Sequence, residues 1–275
     1  MANADQSTVA GFGREWAQFD QTELSDAELA AYYDSYFRIF PWESLPSDAV
    51  GFDLGCGSGR WANFVAPRVA KLHCIDASDE ALDVARRSIR AGNCDFHLAT
   101  VDSMPLPDGS MDFGYSLGVL HHVPDTAGAI RSCVDKLKPG APLLLYLYYA
   151  FDGRPLWFRS LWRASDIGRQ AVSRLPWSFK RRMTDAIALG VYWPLAKAAL
   201  AAEKLGASVE QFPLSFYRRS SIYTMRTDAL DRFGTRLEQR FTKVDIQRMM
   251  ASAGLESIRF SDDGPYWCAI GHKRR

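Results

Sequence analysis

The chain has 275 residues with 33 basic against 32 acidic side chains, a formal net charge of +1, which excludes a whole-chain nucleic-acid surface, so that no nucleic acid is expected as a partner. The five cysteines, Cys56, Cys74, Cys94, Cys133 and Cys268, are scattered singly, a pattern that suits neither a disulfide framework nor a paired zinc motif and makes a reducing cytoplasm the expected compartment, with no metal set read. Met1–Thr8 is polar without an apolar signal core, and the longest apolar run, Ala186–Leu200, is short and carries Pro194 and Lys197, so neither secretion nor a membrane span is expected.

Residues 1–48 read as an N-terminal helical cap rich in aromatics, among them Phe12, Trp16, Tyr33, Tyr36, Phe37 and Trp42. From about residue 49 short strands alternate with helix-period segments, which predicts a mostly parallel sheet covered on both faces over residues 49–150. Strand 1 ends at Leu54, Arg60–Ala66 is a short helix stopped by Pro67, and strand 2 is Lys71–Ile75, ending at Asp76. Ser78 is the expected N-cap of a helix that carries Leu82, Ala85 and Ile89 on one face and stops at Gly92. Strand 3 is Phe96–Ala99, and a loop over Met104–Gly109 leads to strand 4 at Asp112–Leu117. The next helix presents Ile130, Cys133, Val134 and Leu137 on one face, Lys138-Pro139-Gly140 closes it, and Leu143–Tyr148 is a fifth strand buried on both faces.

The alternation then breaks over residues 151–240, too long for a loop. Rich in Trp, Tyr, Arg and helix-period apolar residues, this insertion is expected to be a helical lid over the carboxyl ends of the strands. Between Asp152 and Asp185 it carries eight basic residues against three acidic ones, interleaved with Trp157, Trp162 and Trp177. Residues 154–182 therefore suit either a solvated face or peripheral contact with an anionic membrane. Over residues 241–275 the core resumes: Thr242 caps a last helix, Phe241 staples onto Ile246, Gly254 stops it, and Leu255–Phe260 with Tyr266–Gly271 form a hairpin.

The most informative stretch is Gly51-Phe52-Asp53-Leu54-Gly55-Cys56-Gly57-Ser58-Gly59-Arg60. Glycines at 55, 57 and 59 let a strand turn sharply and bring bare backbone to a ligand, and Arg60 in place of a further glycine makes a dinucleotide pyrophosphate the poorer fit. With Asp53 before it, the turn resembles the first motif of class I S-adenosylmethionine (SAM)-dependent methyltransferases. Ser116-Leu117-Gly118-Val119-Leu120-His121-His122-Val123-Pro124-Asp125 resembles the fourth motif of the small-molecule methyltransferases of ubiquinone and menaquinone biosynthesis. The resemblance implies a Rossmann-like α/β fold with a seven-stranded, mostly parallel sheet, here with the helical lid between strand 5 and the last core helix.

For the cofactor SAM the resemblance implies contacts from Asp53, Gly55, Cys56, Gly57, Ser58 and Gly59 to the methionine part, and from Asp76 and Ala77 to the ribose. Val101 and Asp102 are expected beside the adenine, Leu117 at the end of strand 4, and Trp16 as an aromatic face that closes on the sulfonium. His121 is the candidate general base. Candidate substrate contacts are Tyr36, His121, Tyr217, Tyr223, Arg226 and Arg232. The segment after strand 4 lacks the Asn or Asp followed by Pro-Pro and an aromatic that holds planar amino groups in base and amide methyltransferases. A small-molecule acceptor, a hydroxyl of a sugar, lipid-like or secondary metabolite, is the expected partner, with oligomeric state left open. The alternative is a SAM-cyclising enzyme of the same fold, in which the amino group of SAM attacks its own γ-carbon to give azetidine-2-carboxylate and methylthioadenosine.

Overall fold

Short apolar segments, each followed by a helix or a turn, build the sheet one strand at a time. The structure, a computed structural model, describes residues 3–19, 23–151, 153–262 and 268–275. It divides into two compact units: one of Met1–Gln21, Leu29–Ala150 and Leu237–Arg275, the other of Thr22–Glu28 and Phe151–Arg236. Helices α1 (Gln6–Gln18) and α2 (Asp26–Phe37) precede β1 (Val50–Leu54), α3 (Ala62–Val65), β2 (Lys71–Asp76), α4 (Asp79–Ser88) and β3 (Cys94–Leu98). After them come β4 (Phe113–Leu117), α5 (Thr126–Lys136) and β5 (Pro142–Tyr146). The chain then forms the second unit with α6 (Leu156–Val172), α7 (Trp177–Ile187), α8 (Trp193–Lys204) and α9 (Ile222–Gly234). It returns to the first unit for α10 (Lys243–Ser252), β6 (Leu255–Phe260) and β7 (Cys268–Lys273).

The seven strands lie in the order β3-β2-β1-β4-β5-β7-β6. Strands β1 to β5 pair in parallel, and β7 runs antiparallel to both β5 and β6. This is the expected seven-stranded α/β architecture. Alternation along each strand divides the core: Phe52, Leu54, Leu143 and Leu145 face α5 and α10, whereas Phe113, Tyr115 and Leu144 face α2, α3 and α4. Tyr33 and Phe37 of α2 are buried in that second layer, their rings stacked 4.6 Å apart.

Several boundaries differ from the expected ones: β3 is Cys94–Leu98 rather than Phe96–Ala99, and β5 is Pro142–Tyr146 rather than Leu143–Tyr148. The helix expected over Arg60–Ala66 shrinks to Ala62–Val65, with Pro67 inside a 3₁₀ turn, Ala66–Arg68. Helix α4 stops at Ser88 rather than Gly92 because Asn63, distant in sequence, satisfies its end: Asn63 Nδ2 donates to the Ser88 carbonyl at 3.1 Å, and Asn63 Oδ1 accepts from Arg90 N at 3.2 Å. The last strand begins at Cys268; the expected start at Tyr266 lies outside the described residues.

The second unit has its own small core of Val172, Ala188, Tyr192, Ala196, Met225, Ala229 and Phe233. Its α7 and α8 are joined by a π-helical stretch, Ala188–Tyr192. Glu28 accepts hydrogen bonds from Ser221 N, Ser221 Oγ and Thr224 Oγ1, which fixes the start of α9. Among the described residues no helix is long and apolar enough to cross a membrane.

At the start of α10 the Thr242 hydroxyl accepts from Asp245 N at 3.1 Å, and the Asp245 carboxylate accepts from Thr242 N at 3.1 Å. This reciprocal cap satisfies two donors that the helix itself leaves open. Thr242→Ala is expected to lower unfolding stability by about 1 kcal/mol, read as a shift in urea midpoint at unchanged slope; an unchanged midpoint would mean that α10 is held by packing alone.

Candidate active site

The carboxyl ends of β1, β2 and β4 open onto a cleft of about 950 Å³, its mouth included. Its floor is the glycine turn after β1. Gly55 N and Cys56 N both donate to the Ile75 carbonyl, at 2.7 and 3.1 Å, which ties the turn to the end of β2. Gly57 has φ +53°, and a Cβ there would come within 2.9 Å of Trp16 Cε2. Only glycine satisfies both demands. Trp16 is brought to this place by α1, which packs so closely on the start of α4 that a side chain at Gly13 would meet Ser78 and Glu80.

Asp76, at the end of β2, lines the cleft. Its carboxylate accepts from Gly57 N and from Ser78 N, both at 2.9 Å. Burial pushes this carboxyl up, and these backbone N–H groups pull it back. Each oxygen keeps lone-pair capacity for a ligand hydroxyl. Asp53 lies beneath the turn, 1% exposed, and is not part of the cleft lining. Burial pushes its carboxyl to about 8, with the Tyr115 hydroxyl opposing and Asp76 adding to the rise. Asp53 Oδ2 has no hydrogen-bond partner among the described residues, and neither has the buried Ser58 hydroxyl, which lines the cleft. An unsatisfied buried carboxyl under the turn and an unsatisfied hydroxyl in its wall fit a ligand that carries an ammonium and further polar groups.

The remaining walls are Ala99, Thr100 and Val101 after β3, and Leu117 to Leu120 with His122 and Val123 after β4. Asn3 crosses between the two walls: its N donates to Asp102 Oδ2 at 3.0 Å, its Nδ2 donates to the Asp125 carbonyl at 2.8 Å, and its Oδ1 accepts from Asp125 N at 2.8 Å. Of the expected cofactor residues, Gly55, Cys56, Gly57, Ser58, Asp76, Ala77, Val101, Leu117 and Trp16 line the cleft. Gly59 does not; its turn packs against Ile89. Asp102 does not either, its side chain being taken up by Asn3 N and the Thr100 hydroxyl, which holds its carboxyl below the usual range.

The histidine expectation is corrected. His121 is fully buried and outside the cleft lining, stacked on Tyr148 with ring centroids 3.8 Å apart. Burial, with His122 and Arg240 adding, drives its imidazole well below the usual range. It is His122 that lines the cleft, next to Phe12 at a centroid distance of 4.9 Å. His122 Nδ1 lies 2.7 Å from the Leu237 carbonyl. A carbonyl only accepts, so Nδ1 carries the hydrogen and the neutral ring keeps its lone pair at Nε2.

The other substrate candidates are used elsewhere. Tyr36 is not in the cleft lining but packs against Trp61, which is, and against Tyr146. Arg226 pairs with Asp185 at 2.8 and 3.3 Å, Arg232 donates to Ser165 Oγ and covers the Trp162 ring, Tyr223 is buried, and Tyr217 packs on Tyr192. All four serve the packing of the second unit. Asn3, Phe12, Arg60 and Trp61 line the cleft without having been singled out for it; the Arg60 guanidinium lies 4.2 Å from the Trp61 ring centroid.

Residues 52–145 match the family described as a methyltransferase domain. This segment is a class I SAM-dependent methyltransferase domain. A ubiquinone biosynthesis O-methyltransferase of Methylocella silvestris is 28% identical over 158 residues, 50% of this chain and 62% of that protein. Another, from Xanthomonas axonopodis pv. citri, is 35% identical over 103 residues, 36% of this chain and 43% of that protein. The chain thus spans less than two thirds of these curated relatives. The chain solved in complex with the Trm112 methyltransferase activator from Haloferax volcanii has a TM-score of 0.52 at 13% identity, over 96% of this chain and 98% of that one, which shows a shared fold.

The buried Asp53 makes a pH prediction. The folded methyltransferase domain holds this proton to about pH 8, whereas a free aspartate releases it near 3.8. Across that window the folded state binds more protons, so its stability falls as pH rises and the loss is complete only above the folded value. Asp53→Asn is expected to lose less stability than the parent chain between about pH 6 and about pH 9, measured by urea denaturation without SAM; parallel losses in both proteins would show that Asp53 is already ionised in the fold.

Proposed function

We propose that this chain transfers the methyl group of SAM to an oxygen of a small, lipid-like acceptor. The observation that carries the reading is the convergence of three features on one cleft: bare backbone at Gly55–Gly57, the Asp76 carboxylate, and the Trp16 ring. They match the needs of a nucleoside that bears an amino acid and a sulfonium. The turn and Asp53 attract the amino-acid part, Asp76 accepts from the ribose hydroxyls, and Trp16 offers its face to the positive sulfur. SAM supplies a methyl group on a good neutral leaving group. What the chain contributes is alignment, exclusion of water and, for a hydroxyl acceptor, a place for the proton.

His122 is the group placed to take that proton, because its Nε2 lone pair belongs to a ring held at Nδ1 by the Leu237 carbonyl. Two observations support an oxygen on a lipid-like molecule. The curated relatives named above act as O-methyltransferases in ubiquinone biosynthesis, and the segment after β4 lacks a motif for planar amino groups. The second unit also exposes Leu156, Trp157, Leu161, Ile167, Phe179 and Met183 on α6 and α7, beside Arg159, Arg163, Arg181 and Arg182 in the same segment. That mixture suits contact with an anionic membrane.

Two experiments test the reading. In calorimetry Asp76→Ala should weaken SAM binding by about 1 to 3 kcal/mol through lost charge-assisted hydrogen bonds; unchanged affinity would remove Asp76 from the site. In product analysis, the protein with SAM alone should leave SAM intact, and hydroxylated lipid-like acceptors should release S-adenosylhomocysteine. His122→Gln should lower that turnover by roughly 10²- to 10⁴-fold at unchanged SAM affinity. Methylthioadenosine formed without any acceptor would overturn methyl transfer in favour of cyclisation.

A further inference from the structure

Away from the cleft, the register of β2 with β3 gathers three side chains that no sequence spacing associates. His73 pairs with Asp95 and Ile75 with His97, so His73, Asp95 and His97 share one face of the two strands. His73 Nδ1 lies 2.9 Å from His97 Nε2 and 3.8 Å from Asp95 Oδ2, and the three donor atoms all lie within 4.8 Å of one another. We propose that His73, Asp95 and His97 form a binding site for a divalent transition metal ion of the zinc type, independent of the methyl-transfer cleft.

The chemistry of the donors suits that ion. Two imidazoles and a carboxylate are a three-ligand set that leaves room for a water or a further ligand. Zinc–nitrogen bonds of about 2.0–2.1 Å in tetrahedral geometry separate neighbouring donors by about 3.3 Å, and the observed 2.9 and 3.8 Å bracket this. One of the two facing nitrogens carries the hydrogen that His73 and His97 share, and a metal ion would displace it and take both lone pairs. Burial, together with mutual repulsion at His73, holds both imidazoles below their usual range, and Lys71 holds the Asp95 carboxyl below its own. All three residues are half-buried, set on paired strands yet reachable from solvent.

Lys71 is the built-in competitor, its Nζ 2.7 Å from Asp95 Oδ2. Both partners are 45% exposed, so this pair is weak and the lysine stem is free to turn away when a cation arrives. A bound ion would cross-link β2 to β3, the strands that lead to Asp76 and to Ala99–Val101 of the cleft.

The test uses the full chain stripped with a chelator and then titrated with zinc chloride against a chromophoric competitor, with thermal unfolding in parallel. One equivalent per chain is expected, with a rise in unfolding temperature. His73→Asn and His97→Asn should each weaken uptake by roughly tenfold or more, the loss that even an outer-shell change brings. Lys71→Ala should tighten it. Circular dichroism of each variant before zinc is added confirms the fold. No stoichiometric uptake by the parent chain, or uptake unchanged in the double histidine variant, would overturn the proposal.

Discussion

The pairing of β1 with β2 is the constraint on which the rest depends. Because Leu54 registers with Ile75, the Ile75 carbonyl is in place to accept from Gly55 N and Cys56 N, and the chain must turn there. The same register sets Asp76 one residue beyond, where its carboxylate accepts from Gly57 N and closes the turn from the other side. Backbone hydrogen bonds and one side chain thus fix a loop that propensity alone would leave mobile. Glycine is required both for the positive φ at positions 55 and 57 and for the space that Val119 and Trp16 already occupy.

Charge follows from the same packing. A carboxyl directly beneath the turn is buried on every side, which favours its neutral form until a positive group arrives above it. Asp76 is half-buried and faces the cleft, and backbone N–H groups compensate its desolvation, so two acids only a few residues of sheet apart are held in different ways. This division of roles suits a ligand with an ammonium at one end and hydroxyls at the other.

The part of the site written in local chemistry was legible. A strand that runs into alternating glycines, and an acid at the end of the next strand, declare themselves because turn geometry and strand ends are short-range properties. What escaped depends on long-range phase. His121 and His122 are neighbours on a 3₁₀ turn, Leu120–His122, and no pattern in the chain says which ring faces the cleft. Arg226 looked available for a substrate because its partner Asp185 lies on another helix. The end of α4 was misplaced for a like reason, since its closing hydrogen bonds come from Asn63. The insertion's helices were visible as periodicity, whereas its ion pairs and π-helical joint were not.

Asn3 gives the cleft an uneven lip. Most of its wall belongs to the sheet and its flanking helices, where opening would break many cooperative contacts at once. The stretch spanned by Asn3 is held by three exposed hydrogen bonds to Asp102 and Asp125, each worth about 0.5–1.5 kcal/mol net. Local fraying there requires far less energy than global unfolding. Opening this edge therefore costs a few hydrogen bonds, whereas opening any other part of the wall costs packing of the sheet itself.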